Sequence, residues 1–411
     1  MKQRKVIVVG GGASGLVAAI SAAREGANVT IIEHKDRVGK KILSTGNGRC
    51  NLTNEYMTPD CFRGDELSIV NKVLKQFSYQ ETVHFFEELG VILKNRQGYV
   101  YPISDQASTI LDVLRMEVDR LKISLYLEHN VKTIKKNAKG FQISTDKGNY
   151  QCDALILATG GKAASVLGSD GSGYTLAKQF GHHISPVVPA LVQLKGNGAF
   201  FKQVAGVRTQ AKVSLYVNDT LAGSDTGELQ LTNYGISGIP VFQISRYAAK
   251  GLYEKKTVIA EIDFLPSMPE EELESFLSER IAMHGHKGAE DFFIGMFHKK
   301  LIGILLKEAN ISFATVMNTV PNDKLNKLLV LCKHFKVSIE GTNDFEQAQV
   351  CAGGVKTTEI NPQTMESLYE QDLYLVGELL DIDGICGGYN LQWAWSTGFI
   401  AGKHAAKGSR T

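Results

Sequence analysis

Apolar runs and glycine clusters alternate along this chain. Residues 5–9 form a short β-branched run that breaks at Gly10-Gly11-Gly12-Ala13-Ser14-Gly15, and residues 16–24 are Ala-rich and helix-forming. Val29-Thr30-Ile31-Ile32 reads as a second strand and ends on Glu33. Residues 152–158 have the unbroken apolar character of a buried strand and run into Thr159-Gly160-Gly161. The period then changes to two: Ala211, Val213, Leu215 and Val217 alternate with more polar neighbours, and residues 257–264 do the same. Helical signals follow. Pro269 precedes Glu270-Glu271-Glu272, Lys299–Glu308 is amphipathic, and Pro321 opens a helix towards His334. Residues 373–376 return to a strand, and Gly387-Gly388 opens a helix that runs to Ala406.

This order predicts an α/β protein: a Rossmann-like dinucleotide-binding domain interrupted by an inserted β-barrel-like domain with a helical cap. The expected boundaries are 1–187 for the first part of the nucleotide domain, 188–266 for the β insert and 267–335 for the cap. Residues 336–350 return to the β insert, and 351–411 complete the nucleotide domain. A length of 411 residues suits two or three domains. With 43% hydrophobic and 21% charged residues the chain is an ordinary globular one, and no run approaches a membrane span. Its net charge of +2 supplies no bulk field for nucleic acid or an acidic membrane, so neither is expected as a partner. Composition adds one clue: Gly 41 and Pro 9 stand against roughly 29 and roughly 20 for average usage. Extra glycine without extra proline points to tight turns that approach a ligand closely. The six cysteines, at 50, 61, 152, 332, 351 and 386, contain no C-x-x-C, so no metal site or dithiol pair is expected and a cytoplasmic location is the simplest. The basic start followed by an apolar run imitates a secretory signal, but glycines at 10, 11, 12 and 15 interrupt it.

Those glycines have a chemical use. Gly10 allows the tight turn after the first strand, Gly12 lets the backbone approach a pyrophosphate, and Gly15 lets the helix pack closely on the strand. Glu33 stands where a carboxylate accepts hydrogen bonds from the ribose hydroxyls, which disfavours a 2′-phosphate. A second loop, residues 39–51, carries Lys41, Leu43, Gly46, Asn47, Gly48, Arg49, Cys50 and Asn51; its cations suit phosphate or an anionic reduced ring. A third set, Gly377-Glu378, Asp383 and Gly388-Tyr389-Asn390, places a helix N-terminus where charge develops on the pyrimidine edge of a reduced flavin.

Taken with Tyr101-Pro102-Ile103-Ser104, Tyr234-Gly235-Ile236-Ser237-Gly238 and Ala352-Gly353-Gly354-Val355, these motifs run the length of the chain. It resembles the bacterial flavoprotein family of YhiN-like, BaiN-like and aminoacetone-oxidase-like proteins. The most specific elements are G-N-G-R-C-N at 46–51 and G-G-Y-N-L-Q at 387–392. The resemblance implies tightly bound FAD in the nucleotide domain and a redox reaction on a small organic molecule. Members are linked to oxidation of an aminoketone and to reduction of bile-acid enones, so either direction of electron flow is open, with a lean towards reduction by transient NADH or NADPH. A noncatalytic flavin sensor is the reading from another class. The expected FAD contacts further include Ala13, Ser14, His34, Lys35, Val131, Ala158, Thr159, Gly160, Gly161, Leu391 and Gln392.

Gly196-Asn197-Gly198 lacks a third glycine and an Ala-rich helix, so a resident nicotinamide domain is not expected. Cys50 beside Arg49 invites a nucleophile reading, but a lone cysteine is more often a packing residue. His182 and His183 read as charges closing a helix, and Trp393 and Trp395 as packing. Tyr234, Ser237 and Tyr389 are the candidate catalytic residues on the substrate side, with the cap controlling access to a pocket walled by residues 234–237 and 389–390. Oligomeric state is left open.

Overall fold

Val6, Ile7, Val8 and Val9 are all buried, which requires the strand Lys5–Val9 (β1) to be covered on both faces. In the computed structural model, which describes residues 3–408, β1 is the centre of a five-stranded sheet. Asn28–Ile32 (β2) and then Ser124–Tyr126 (β3) lie on one side; Ala154–Leu157 (β4) and then Leu373–Leu375 (β5) lie on the other. All four pairings are parallel, with Val9 opposite Ile32 and opposite Leu157. Parallel pairing puts every strand's carboxyl end on one edge, and the chain leaves β1 towards β2 but returns through β4 on its other side. That reversal opens a crevice at the end of β1, where the first glycine cluster sits.

Two helices pack on this sheet and on each other. Ala13–Arg24 (α1) follows the turn directly, and Tyr389–Lys407 (α2) lies against it. Their backbones approach closely: a Cβ at Gly398 would overlap the Ser14 carbonyl oxygen, and one at Gly402 the Ala18 carbonyl oxygen. The indole N–H groups of Trp393 and Trp395 are not idle in their packing. They donate to the carbonyls of Gly377 at 3.1 Å and Leu52 at 3.0 Å, tying two loops to α2.

The compact unit containing this sheet comprises residues 1–187 and 349–411, and a second comprises 188–348. The second is built on a closed six-stranded antiparallel barrel. Its order is Leu194–Gly196, Gly235–Gly238, Thr220–Leu231, Arg208–Val217, Val258–Asp263 and Phe335–Thr342, which returns to the first strand. Ala211, Val213 and Leu215 point to its core, as their alternation predicts. The helices Glu270–His284, Lys299–Glu308 and Asn322–Lys333 occupy the expected cap segment. They do not form a separate unit: Leu273, Leu301, Leu305 and Leu328 share one apolar cluster with Leu231, Ile262 and Val337 of the barrel. Lys333 fastens the junction, its buried ammonium donating to Asp263 Oδ2 (2.7 Å) and to the carbonyls of Leu265 (2.9 Å) and Met268 (2.8 Å).

One pair of residues departs from expectation. His182 does not close a helix as a surface charge; its ring is buried, with Nδ1 3.0 Å from Glu359 Oε2 and Nε2 2.8 Å from Ser367 Oγ. The other Glu359 oxygen meets His183 Nδ1 at 2.7 Å. Burial lowers the His182 pKa against the opposing pull of Glu359, so the neutral ring is favoured. Ser367 Oγ also accepts the N–H groups of Tyr369 and Glu370, which makes the cluster a turn-holding bracket.

Because Leu305 is 2% exposed within the barrel's own cluster, Leu305→Ala is expected to destabilise the protein by about 2–5 kcal/mol, read as a lower urea midpoint. A variant as stable as the parent would show that this helix only covers the barrel and does not complete its core.

Candidate cofactor site

The first turn is shaped for a ligand. Gly10 takes φ +102° while its N–H donates to the Ile32 carbonyl at 2.8 Å, which closes β1 onto β2. A Cβ at Gly15 would overlap the Gly10 carbonyl oxygen, so this glycine is required by the fold itself. Gly12 differs: nothing in the protein lies within 4 Å of where its Cβ would be. It caps α1 with an ordinary extended φ of −81° and no side-chain hydrogen bond, and the first turn carries no acid. An uncapped helix N-terminus beside open space fits a pyrophosphate. Ala13 begins the helix and buried Ser14 supplies its first turn. Glu33 ends β2 buried, with Oε2 accepting the Gly11 N–H at 2.7 Å and Oε1 the Lys35 N–H at 2.8 Å. Both bonds hold the carboxylate at the strand end, where ribose hydroxyls can still reach its remaining lone pairs. Beside it, buried His34 Nε2 has no partner, a donor or acceptor awaiting a ligand. Val131 is half-buried at the start of the strand Val131–Asn137.

The second loop runs through a chain of left-handed conformations: Gly46 (φ +55°), Asn47 (+54°), Gly48 (+83°) and Cys50 (+57°). Asn tolerates that backbone, but for Cys50 it is unfavourable, as expected only where tertiary contacts over-determine it. Asn47 and Arg49 project outward, whereas Leu43 is half-buried. Burial pushes the Cys50 thiol up to about 12, against a smaller opposing effect of the Thr45 hydroxyl, so the thiolate needed for a nucleophile is absent at neutral pH. Cys50 is a packing residue. Asn51 is buried too, and its Oδ1 lacks any hydrogen-bond partner, a second polar atom that the protein leaves unmatched at the site.

Distant loops converge on the same edge. Lys41 Nζ meets Glu378 Oε2 at 2.8 Å, and Glu378 Oε1 accepts the Cys351 N–H at 2.8 Å. The side chains of Lys41 and Glu378 therefore brace one another. Gly161, whose carbonyl accepts from Gly171 at 3.0 Å, packs against Glu378, and Gly160 is in contact range of Ser169. Ala158 continues β4, its N–H bonded to the Val9 carbonyl, and Thr159 packs beside Gly173. The Gly377 N–H donates to Thr397 Oγ1 (3.0 Å) and packs its Cα on Ser14.

At α2 the expected contacts divide. Gly388 is the uncapped N-terminal residue (φ +93°), so the N–H groups of Tyr389, Asn390 and Leu391 lack intrahelical acceptors. The Asn390 amide is committed to the fold, because it both donates to and accepts from the Gly384 backbone at 2.8 Å. Gln392 is wholly buried. Its oxygen accepts from Thr53 Oγ1 (2.5 Å) and its NH2 serves the Phe77, Ser78 and Ser396 groups. Asp383 is buried in the short strand Asp383–Gly384, paired with Phe62–Arg63. Tyr389 turns inward, its ring 5.9 Å edge-on from Phe62, and burial followed by a hydrogen bond with Cys61 pushes its pKa up. Tyr234 and Ser237 belong to the other unit: Tyr234 OH accepts from Asn343 Nδ2 at 2.9 Å and keeps its own proton free to donate, while Ser237 is buried in its strand. Sequence reading missed Thr53 and Asn54, which bind Gln392 and the Gly387 carbonyl (3.1 Å); the only signal was their place just after the G-N-G-R-C-N loop.

Two outcomes check this site. Gly12→Ala is expected to fold with unchanged apoprotein melting yet lose FAD in a binding titration, whereas Gly15→Ala loses the folded protein itself; equal FAD affinity in Gly12→Ala would place the pyrophosphate elsewhere. N-ethylmaleimide near neutral pH is expected to label partly exposed Cys386 before the five buried cysteines, read by peptide mass; early labelling of Cys50 would overturn its assignment as an inert packing residue.

The chain is similar to known proteins along almost its whole length. A curated relative from Clostridium scindens, named 3-dehydro-bile acid delta(4,6)-reductase, is 50% identical over 98% of this chain and 99% of its own. Another from Escherichia coli, named ribosomal RNA dihydrouridine synthase, is 28% identical over the full length of both. Among solved structures, the 3-ketosteroid delta1-dehydrogenase of Sterolibacterium denitrificans shares the fold, with a TM-score of 0.52, 13% identity and coverage of 99% of this chain and 100% of that one. The family described as HI0933-like protein Rossmann domain matches residues 4–404. The chain therefore belongs to that HI0933-like family.

Proposed function

We propose that the protein is an FAD-dependent reductase that saturates a carbon–carbon double bond conjugated with a carbonyl, using NADH or NADPH as reductant. The observation that carries this reading is the 50% identity, end to end, with a protein named as a bile-acid delta(4,6)-reductase. The name of the more distant relatives supports the same chemistry, because making dihydrouridine also reduces a double bond next to a carbonyl. The balance is simple: the double bond gains a hydride at the carbon remote from the carbonyl and a proton at the nearer carbon, while the nicotinamide is oxidised.

FAD, when bound, supplies the two-electron hydride chemistry. The chain's own residues do the rest. The α1 N-terminus with Gly12 would hold the pyrophosphate, and Glu33 the adenosine ribose. The 46–51 loop and the first-turn N–H groups of α2 would hold the ring end, where a helix N-terminus favours negative charge. The Lys41–Glu378 and Asn390–Gly384 bonds keep those two supports in place before any substrate arrives.

Under anaerobic conditions NADH or NADPH is expected to bleach the visible flavin band of the yellow protein, and a steroid 4-en-3-one to restore it with a product heavier by two hydrogens. Bleaching by aminoacetone-like amines without nicotinamide, with oxygen consumed on aeration, would overturn the reductase reading in favour of an amine oxidase. No spectral response to any of these would leave a flavin-binding sensor.

A further inference from the structure

A small three-stranded sheet, Thr53–Asn54, Tyr99–Pro102 and Leu93–Arg96, touches the loop that opens α2. Val100 and Pro102 are buried, so Tyr99 and Tyr101, at the alternate positions of the strand, face the other way. The backbone of Tyr99 is held on both sides, paired with Asn54 in one neighbouring strand and with Arg96 in the other. Asn54 in turn donates through Nδ2 to the Gly387 carbonyl at 3.1 Å. Gly387 takes φ +128°, and a Cβ there would lie 2.9 Å from Tyr99 Cε1 and 3.0 Å from Tyr389 Cε2. This glycine makes room for the Tyr99 ring directly before the uncapped first turn of α2.

Four phenols gather here, and their surroundings differ. Tyr389 is buried with its hydroxyl bonded to Cys61. Tyr101 is half-buried, with the Arg96 guanidinium 5.9 Å from its ring centre. Tyr56 is 63% exposed and lies outside the strands. Tyr99 is 41% exposed, and its hydroxyl makes no hydrogen bond among the described residues. Of the four, Tyr99 alone combines a strand-held backbone, an uncommitted O–H and a place against the start of α2. A phenol keeps its proton at neutral pH and is a strong enough acid to give it to an enolate carbon. The free N–H groups of the first turn of α2 favour negative charge, so an anion that forms beside them meets a proton donor.

We infer that Tyr99 is the catalytic acid, the group that hands the substrate its proton after hydride addition. This rests on the reductase reading above and supplies the proton donor which that reading leaves unassigned. Hydride addition at the carbon remote from the carbonyl leaves an enolate. The Tyr99 O–H bond then breaks as a C–H bond forms at the carbon next to the carbonyl, and the electron pair of the O–H bond stays on the phenol oxygen. The phenolate recovers its proton from water, which reaches it because the side chain is partly exposed. The two electrons of the reduction come from NADH or NADPH by way of FAD, so the balance closes with one nicotinamide oxidised and one proton taken from solvent.

The test uses the holoprotein, reduced with dithionite in the absence of oxygen so that no nicotinamide step enters. Return of the visible flavin band is timed after mixing with one of two acceptors. A steroid 4-en-3-one needs a proton on carbon, whereas ferricyanide takes electrons alone. Tyr99→Phe, which removes only the hydroxyl, is expected to slow reoxidation by the enone about a hundredfold and to leave the ferricyanide rate unchanged. Enone binding to the oxidised holoprotein, read as a shift of the flavin band, should weaken by less than about tenfold, which a merely structural role would not separate from the rate. Tyr56→Phe should match the wild type in all three measurements. A Tyr99→Phe protein as fast as the wild type with the enone overturns the assignment, as does one slowed equally with both acceptors. A hundredfold loss found in Tyr389→Phe or Tyr56→Phe, with Tyr99→Phe unaffected, overturns it as well. If the enone fails to reoxidise even the wild type while ferricyanide succeeds, the reductase reading itself fails and takes this assignment with it.

Discussion

The contact on which the rest of this protein depends is the close approach of α1 to the turn after β1, where the Cα of Gly15 rests on the Gly10 carbonyl. A parallel sheet leaves unpaired backbone groups at its carboxyl edge, and a helix leaves N–H groups without acceptors at its first turn. Bringing those two edges together concentrates donors and positive potential in one crevice. An anionic dinucleotide relieves that concentration without any cationic side chain in the turn. The same logic repeats at α2, whose glycines 398 and 402 let it lie against α1 and deliver its own uncapped N-terminus to the same edge.

Several polar side chains around that crevice already have partners within the protein. Asn390, Gln392, Lys41 and Glu378 are engaged with backbone or with each other, and their work is to hold loops that have little regular structure of their own. This division suits a redox site, where ring position decides reactivity and each loop must be stiff without a long strand or helix to stiffen it. Two of the buried polar atoms without a hydrogen-bond partner, His34 Nε2 and Asn51 Oδ1, lie in the 33–51 segment.

The barrel unit solves a different problem. A closed barrel has no free edge, so its exposed strands need no covering for that reason. Its helices contribute apolar surface to the barrel's own core, and the buried Lys333 ammonium is tolerated because three oxygens satisfy it. Shared packing of this kind makes the helical segment part of one cooperative body, which is a poor design for a freely hinged cover.

How much of this was legible without coordinates follows from the range over which each feature is determined. The β1 turn, α1, β2 and Glu33 were readable because glycine placement, apolar period and the terminal acid act within about 30 consecutive residues, the span of one βαβ unit. Lys299–Glu308 and Asn322–Lys333 were readable for the same reason: an amphipathic period and a proline start are local signals. The barrel strands showed as alternation, yet nothing local says that the sixth closes on the first. The sequence by itself therefore determined the element types, the nucleotide-binding turn and the family. Only the tertiary structure decided that Tyr389 and Gln392 turn inward, that His182 is held by Glu359, and that Asn54 meets Gly387 across 333 positions while Tyr99 stays open to solvent. A side chain's propensity is set by its neighbours in the chain, but its burial and its partner are set by whichever distant segment the fold packs against it.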